Sequence, residues 1–128
     1  MIKLIDILKE LKNAIKYTKP NFANEWEEAN RYPEFQEIGK DKWIELAQQG
    51  HITKLSKIKS ILGNVDLDFD SLDSGKKERF ERAFERGTVE MPIAVKFGEN
   101  EYDLVAGNTR VAGLVKNHID PSIWVVEL

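Results

Sequence analysis

Cysteine is absent from the 128 residues of this chain, which removes disulfide frameworks, thiolate metal sites and thiol catalysis together. It agrees with a reducing, cytoplasmic setting. Histidine occurs only at His51 and His118, far apart and without acids at metal-ligand spacing, so a zinc site is not expected. No apolar run approaches the roughly 20 residues that cross a bilayer, so no membrane partner is expected. The start, Met1–Asp6, has an acid and a lysine among its apolar residues and does not read as a signal peptide. Neither a P-loop nor a nucleophile elbow is present. Positive charge is short as well: the formal net charge is -3. That balance predicts weak affinity for generic duplex DNA, on the order of 10⁻⁴ to 10⁻⁶ M or poorer at physiological salt.

What is present describes an ordinary soluble globule, 41% hydrophobic and 32% charged, read as one domain over 1–128. Its first part, 1–87, reads as helical. Leu4, Leu8, Leu11 and Ile15 have helical spacing, predicting a helix over about 4–17 that Pro20 ends. Phe22, Trp26 and Ala29 form a second stripe closed by Tyr32-Pro33. Asp41 is the expected cap of a helix carrying Trp43, Leu46 and Ala47, and Thr53 of one carrying Leu55, Ile58 and Leu62. Ser74 is the expected cap of a last helix with Phe80, Ala83 and Phe84 inward, stopped by Gly87.

From residue 88 the pattern changes. Met91-Pro92-Ile93-Ala94-Val95-Lys96 and Tyr102-Asp103-Leu104-Val105-Ala106 read as a hairpin whose second strand runs through Gly107 into a helix. The first N–H groups of such a helix have no intrahelical partners, and the dipole there favours an anion. Arg110, three residues into the turn, adds a planar fork of donors matched to phosphate oxygens. Gly107, Asn108, Thr109 and Arg110 are therefore the candidate phosphate ligands. The bland alternative is that Gly107 only turns the chain and Arg110 only solvates a helix start.

These residues resemble the ParB/sulfiredoxin-like superfamily, including its ParB-like nuclease domains. The likeness covers about residues 88–127: Pro92-Ile93-Ala94-Val95, the Tyr102–Ala106 strand, Gly107-Asn108-Thr109-Arg110-Val111-Ala112-Gly113, and the closing strand Ile123-Trp124-Val125-Val126. It implies an α+β fold with a small mixed sheet, on which 1–87 packs as a helical extension. It also implies a nucleotide or nucleic-acid phosphate at the Gly107 turn, with nuclease, NTPase or phosphotransferase chemistry and Mg²⁺ among the activities of such domains. Departures narrow this. The cysteine of sulfiredoxins is missing, Asn108 and Thr109 stand where phosphorylating relatives often have histidine, and Thr109 and Ala112 replace two ParB arginines. No helix-turn-helix region follows Leu128, so centromere-style DNA reading is not expected.

Two acids are candidates for catalysis. Glu90 immediately precedes the Pro92 strand and could orient or deprotonate an attacking water or hydroxyl, if it lies at the Gly107 end of the sheet; otherwise it is a surface acid. Asp103 is its competitor on the neighbouring strand. The alternating Asp66, Asp68, Asp70 and Asp73 fail the EF-hand pattern at Ser71 and Lys77 and read as an acidic loop, with Mg²⁺ beside a phosphate as the alternative. Lys40, Lys42, Lys54, Lys57 and Lys59 read as solvated helix faces, with phosphate-backbone contact as the alternative. Trp26, Trp43 and Trp124 read as packing residues. Two function classes remain: a phosphate-binding domain, with or without hydrolysis, and a non-catalytic adaptor that grips a protein through its helical half.

Overall fold

The computed structural model describes residues 15–128. Most of the helix expected over 4–17 lies outside them, and its described end is not helical. Lys16–Thr18 forms strand β1, parallel to β4, Thr88–Glu90, in a two-stranded sheet. Backbone pairing across about 70 residues, begun by the Lys16 N–H on Gly87 O at 2.8 Å, overrides the local helical spacing there.

The main sheet has five strands: β2 (His51–Lys54), β3 (Leu62–Gly63), β5 (Ile93–Gly98), β6 (Glu101–Ala106) and β7 (Ser122–Glu127). Their order is β2-β7-β5-β6-β3. The β2–β7 and β5–β6 pairs are antiparallel, while β5–β7 and β3–β6 are parallel. The fold is thus α+β with a mixed sheet. The hairpin, the Gly107 junction, the helix after it and the closing strand stand where the sequence places them. Residues 1–87 supply more than helices, since β1, β2 and β3 come from that part of the chain.

The helices are α1 (Trp26–Ala29), α2 (Pro33–Ile38), α3 (Lys40–Gln48), α4 (Leu55–Ile58), α5 (Ser74–Arg86) and α6 (Asn108–Lys116). Several expected boundaries move. Pro33 opens α2 instead of closing a helix, because its fixed φ and missing N–H suit a first helical position. Gly39, not Asp41, is the cap of α3. Thr53 lies within β2, where it pairs with Ile123, so the helix behind it shrinks to one turn. Asp73, not Ser74, caps α5, its carboxylate accepting the Lys76 N–H at 3.0 Å. Gly87 ends α5 in the left-handed region, as expected.

Strand β5 explains the layering. Ile93 and Val95 face one side, packing with Ala29, Phe35, Trp43 and Ala47 of α1–α3. Ala94 faces the other, with Leu55 and Ile58 of α4 and Val111 of α6. Both faces are covered, which is why β5 reads as a continuous apolar run. Each fully buried Ile, Val, Leu or Phe side chain among them contributes about 1.5–3 kcal/mol. Trp43 is fully buried, with its indole N–H on Phe22 O at 2.9 Å, and Trp124 Nε1 donates to Ala47 O at 2.7 Å. A third cluster locks α5 to α6 through Phe80, Ala112 and Leu114. Gly113 makes that approach possible, because a Cβ there would run into the Phe80 ring.

Candidate functional site

Helix α6 starts from Gly107, whose φ is 91°. A Cβ at that position would stand 2.9 Å from both Cα and Cβ of Pro92. Glycine is therefore required twice, by conformation and by the close approach of Pro92, just ahead of β5. The helical ladder begins with Val111 N–H on Gly107 O at 3.0 Å, leaving the N–H groups of Asn108, Thr109 and Arg110 ahead of it. No acidic side chain of α6 itself occupies this first turn.

The turn opens into a cleft of about 880 Å³. All four sequence-predicted phosphate ligands line it, and so does Glu90. Arg110 lies back over the turn: Nη1 donates to Glu90 O at 3.2 Å and stands 3.5 Å from Met91 O. Two carboxylates flank the same guanidinium, Glu25 Oε1 at 3.7 Å from Nη2 and Glu90 Oε2 at 3.8 Å from Nη1. Those separations exceed the roughly 2.7–2.9 Å of a full charge-assisted hydrogen bond, so the guanidinium is neutralised without being saturated. Glu90 has a second engagement, its Oε1 accepting the Asn21 N–H at 2.8 Å.

Asn108 has another task. Its Oδ1 accepts the Asp66 N–H at 2.7 Å and its Nδ2 donates to Asp66 O at 2.9 Å. The amide thus mimics a strand neighbour and pins the 64–68 loop to the start of α6. Asn64 holds the same loop to the sheet, through Nδ2 on Leu104 O at 2.8 Å. Asp103 is not among the residues lining the cleft. It faces Tyr32, whose hydroxyl burial pushes above its ordinary pKa, with the Asp103 charge adding to the rise.

The acidic run resolves into separate structural roles. Asp66 Oδ1 accepts the Asp68 N–H, Asp70 pairs with Lys116 at 2.7 Å, and Asp73 caps α5. Val65 and Leu67 turn inward and Phe69 is buried, as the loop reading expects. Among the described residues no three His, Asp or Glu side chains gather as metal ligands. Lys54 leaves the basic stretch, its Nζ donating to Ser122 Oγ at 2.9 Å.

Sequence reasoning missed Glu25, Arg31, Lys76 and Arg79, which also line the cleft. For the last two a signal existed: Lys76, Arg79, Phe80 and Ala83 have the spacing of one helix face. Glu25 and Arg31 carried none, since only the tertiary fold brings the 21–31 segment over Gly107. Burial raises the Glu25 carboxyl above its ordinary pKa; Arg110 opposes that rise, while Glu90 and Glu28 add to it. Among the described residues no helix is long and apolar enough to cross a membrane. No family model, curated protein or solved structure matches the chain.

Proposed function

We propose that this chain binds a phosphate-bearing ligand, a nucleotide or a nucleic-acid phosphate, in the cleft at the start of α6. The observation that carries this reading is the placement of Arg110. A cation on the first turn of a helix opposes the dipole and gains nothing for the helix itself. Here it faces a cleft together with three N–H groups outside the helical ladder and with Arg31, Lys76 and Arg79. An anion would engage these N–H donors and the guanidinium at once. The likeness of residues 88–127 to ParB/sulfiredoxin-like domains supports the same ligand class. A Mg²⁺ in such a reaction would arrive on the ligand's phosphate oxygens. In a hydrolytic or transfer reaction Glu90 would take the proton of the attacking water or hydroxyl while the helix start holds the phosphoryl charge.

A second reading, binding without catalysis in an adaptor, has one observation in its favour. Glu90 Oε1 is committed to the Asn21 N–H, which leaves one carboxylate oxygen for chemistry. Thermal unfolding with nucleoside mono-, di- and triphosphates, each against its parent nucleoside and with and without Mg²⁺, tests the binding claim. A ligand at a hundred times its Kd stabilises by about 2.7 kcal/mol. Equal midpoints with nucleoside and nucleotide throughout would sink it. Phosphate release from a bound nucleotide, lost in Glu90→Gln, would separate the enzyme from the adaptor.

A further inference from the structure

We propose that Glu25 is a built-in counterion that competes with an anionic ligand for Arg110, so that ligand binding in the cleft takes up a proton at Glu25. The inference rests on the phosphate-binding reading of the cleft and adds its regulation. Glu25 Oε1 stands 3.7 Å from Arg110 Nη2, close enough to neutralise the guanidinium and too long to lock it. The carboxylate retains only 19% side-chain exposure, so water replaces Arg110 poorly when an anion draws the guanidinium away. Among the described residues, the charged groups that act on it are one cation, Arg110, and two further carboxylates, Glu90 and Glu28. Its segment is anchored independently of the ion pair. The Glu25 N–H donates to Asn21 O at 3.1 Å, and the Asn21 N–H donates to Glu90 at 2.8 Å. Glu25 therefore stays at the cleft whether or not Arg110 holds it.

An anion on Arg110 weakens the attraction that favours ionised Glu25 and adds a repulsion. Its pKa, already above the ordinary value, must rise further in the complex. The sign follows from linkage. With the pKa higher in the bound state than in the free state, affinity increases as pH falls through the bound-state value. It levels off below the free-state value. The cleft would then favour its ligand under mild acid, and at neutral pH Glu25 would hold the site partly closed to dianions.

Sulfate is the probe, because its charge is constant over the range where carboxylates and phosphates titrate. Isothermal titration of the full chain between about pH 5 and pH 8, in buffers of different ionisation enthalpy, reads affinity and proton uptake together. For the native protein the expected result is tighter binding on acidification, by up to about tenfold per pH unit, with uptake approaching one proton. Glu25→Gln should bind at least as tightly at the alkaline end and show a flat profile. A flat profile in the native protein, an unchanged slope in Glu25→Gln, or weaker binding by that variant would each overturn the proposal and leave the cleft as an anion site. If neither protein binds sulfate, pyrophosphate or a nucleotide at any pH, the cleft reading and the inference fall together. The native profile stands by itself should Glu25→Gln fold poorly.

Discussion

The two walls of the cleft are held in different ways. One wall, the 64–68 loop, is stitched to the sheet and to α6 by neutral hydrogen bonds of 2.7–2.9 Å, from Asn64 to Leu104 and between Asn108 and Asp66. The other, the 21–31 segment together with Glu90 at the end of β4, meets the site largely through charge: Glu25 and Glu90 stand 3.7 and 3.8 Å from Arg110, with one short bond from the Asn21 N–H to Glu90. Neutral amide contacts persist across salt and pH, whereas loose ion pairs respond to both. The loop wall positions the start of α6, and under the proposed anion binding the charged wall is the one that would react to a ligand.

The hardest way to break the comparison is to remove the hinge common to both walls. Gly107→Ala forces a left-handed φ of 91° on an L side chain and drives its Cβ to 2.9 Å from Pro92. Strain and overpacking together should lower stability by about 2–4 kcal/mol, read from denaturant midpoints. A loss below about 1 kcal/mol would mean that the junction relaxes easily and that the cleft is not rigidly placed.

Replacing Arg110 attacks the charged wall alone. Arg110→Ala should reduce affinity for a nucleotide or sulfate about tenfold to a hundredfold, the loss of a charge-assisted hydrogen bond. Arg110→Lys should recover only part, lacking the planar fork. Stability should fall by about 1 kcal/mol, because the guanidinium also serves the Glu90 carbonyl. Unchanged affinity beside a large stability loss would show that Arg110 is a fold residue.

How much of this was legible in the sequence also divides along the two walls. The hairpin, the Gly107 turn and α6 were readable because their signals are local: an apolar run, a glycine, then helical spacing. Asn108 was named for its place in the turn, but its bond to Asp66 spans 42 residues and left no trace in either segment. Strands β1 and β2 were missed for the same reason. Lys16–Tyr17 lie in the stretch with helical spacing and Thr53 stands at the expected helix cap, yet pairing with Thr88–Val89 and with β7 decides their state. Glu25 was invisible because its function as a counterion exists only once the 21–31 segment lies over α6.

Asn108→Ala tests the neutral wall. Two hydrogen bonds to the Asp66 backbone disappear, at a partly exposed place where water replaces them in part. A stability loss of about 1–2 kcal/mol is expected, with anion affinity at the turn nearly unchanged, since the side chain already has its partners. Affinity falling as far as in Arg110→Ala would show that the Asn108 amide contacts the ligand, and the division between the walls would blur.

The smallest effect is the sharpest in sign. On the outer side of the loop, the exposed Asp70 carboxylate is held below its ordinary pKa of 3.8 by a hydrogen bond from Lys116 and by its charge. On the other wall Glu25 is held above its ordinary 4.5, chiefly by burial. A lowered folded pKa contributes stability that is present above the unfolded value and lost as pH falls through the folded one. A raised one contributes stability that is full below the unfolded value and lost as pH rises through the folded one. Unfolding midpoints of the native chain, measured against pH and compared with Asp70→Asn and Glu25→Gln, should therefore show differences of opposite slope. The Asp70 difference should grow as pH rises through the acid range below about 3.8, and the Glu25 difference should turn against the native chain as pH rises above about 4.5. Added salt should erase the first, since its pair lies in solvent, and spare most of the second, since desolvation is not screened. Two differences of the same slope, or an equal loss of both in salt, would show that the charged wall is no more buried than the loop it faces.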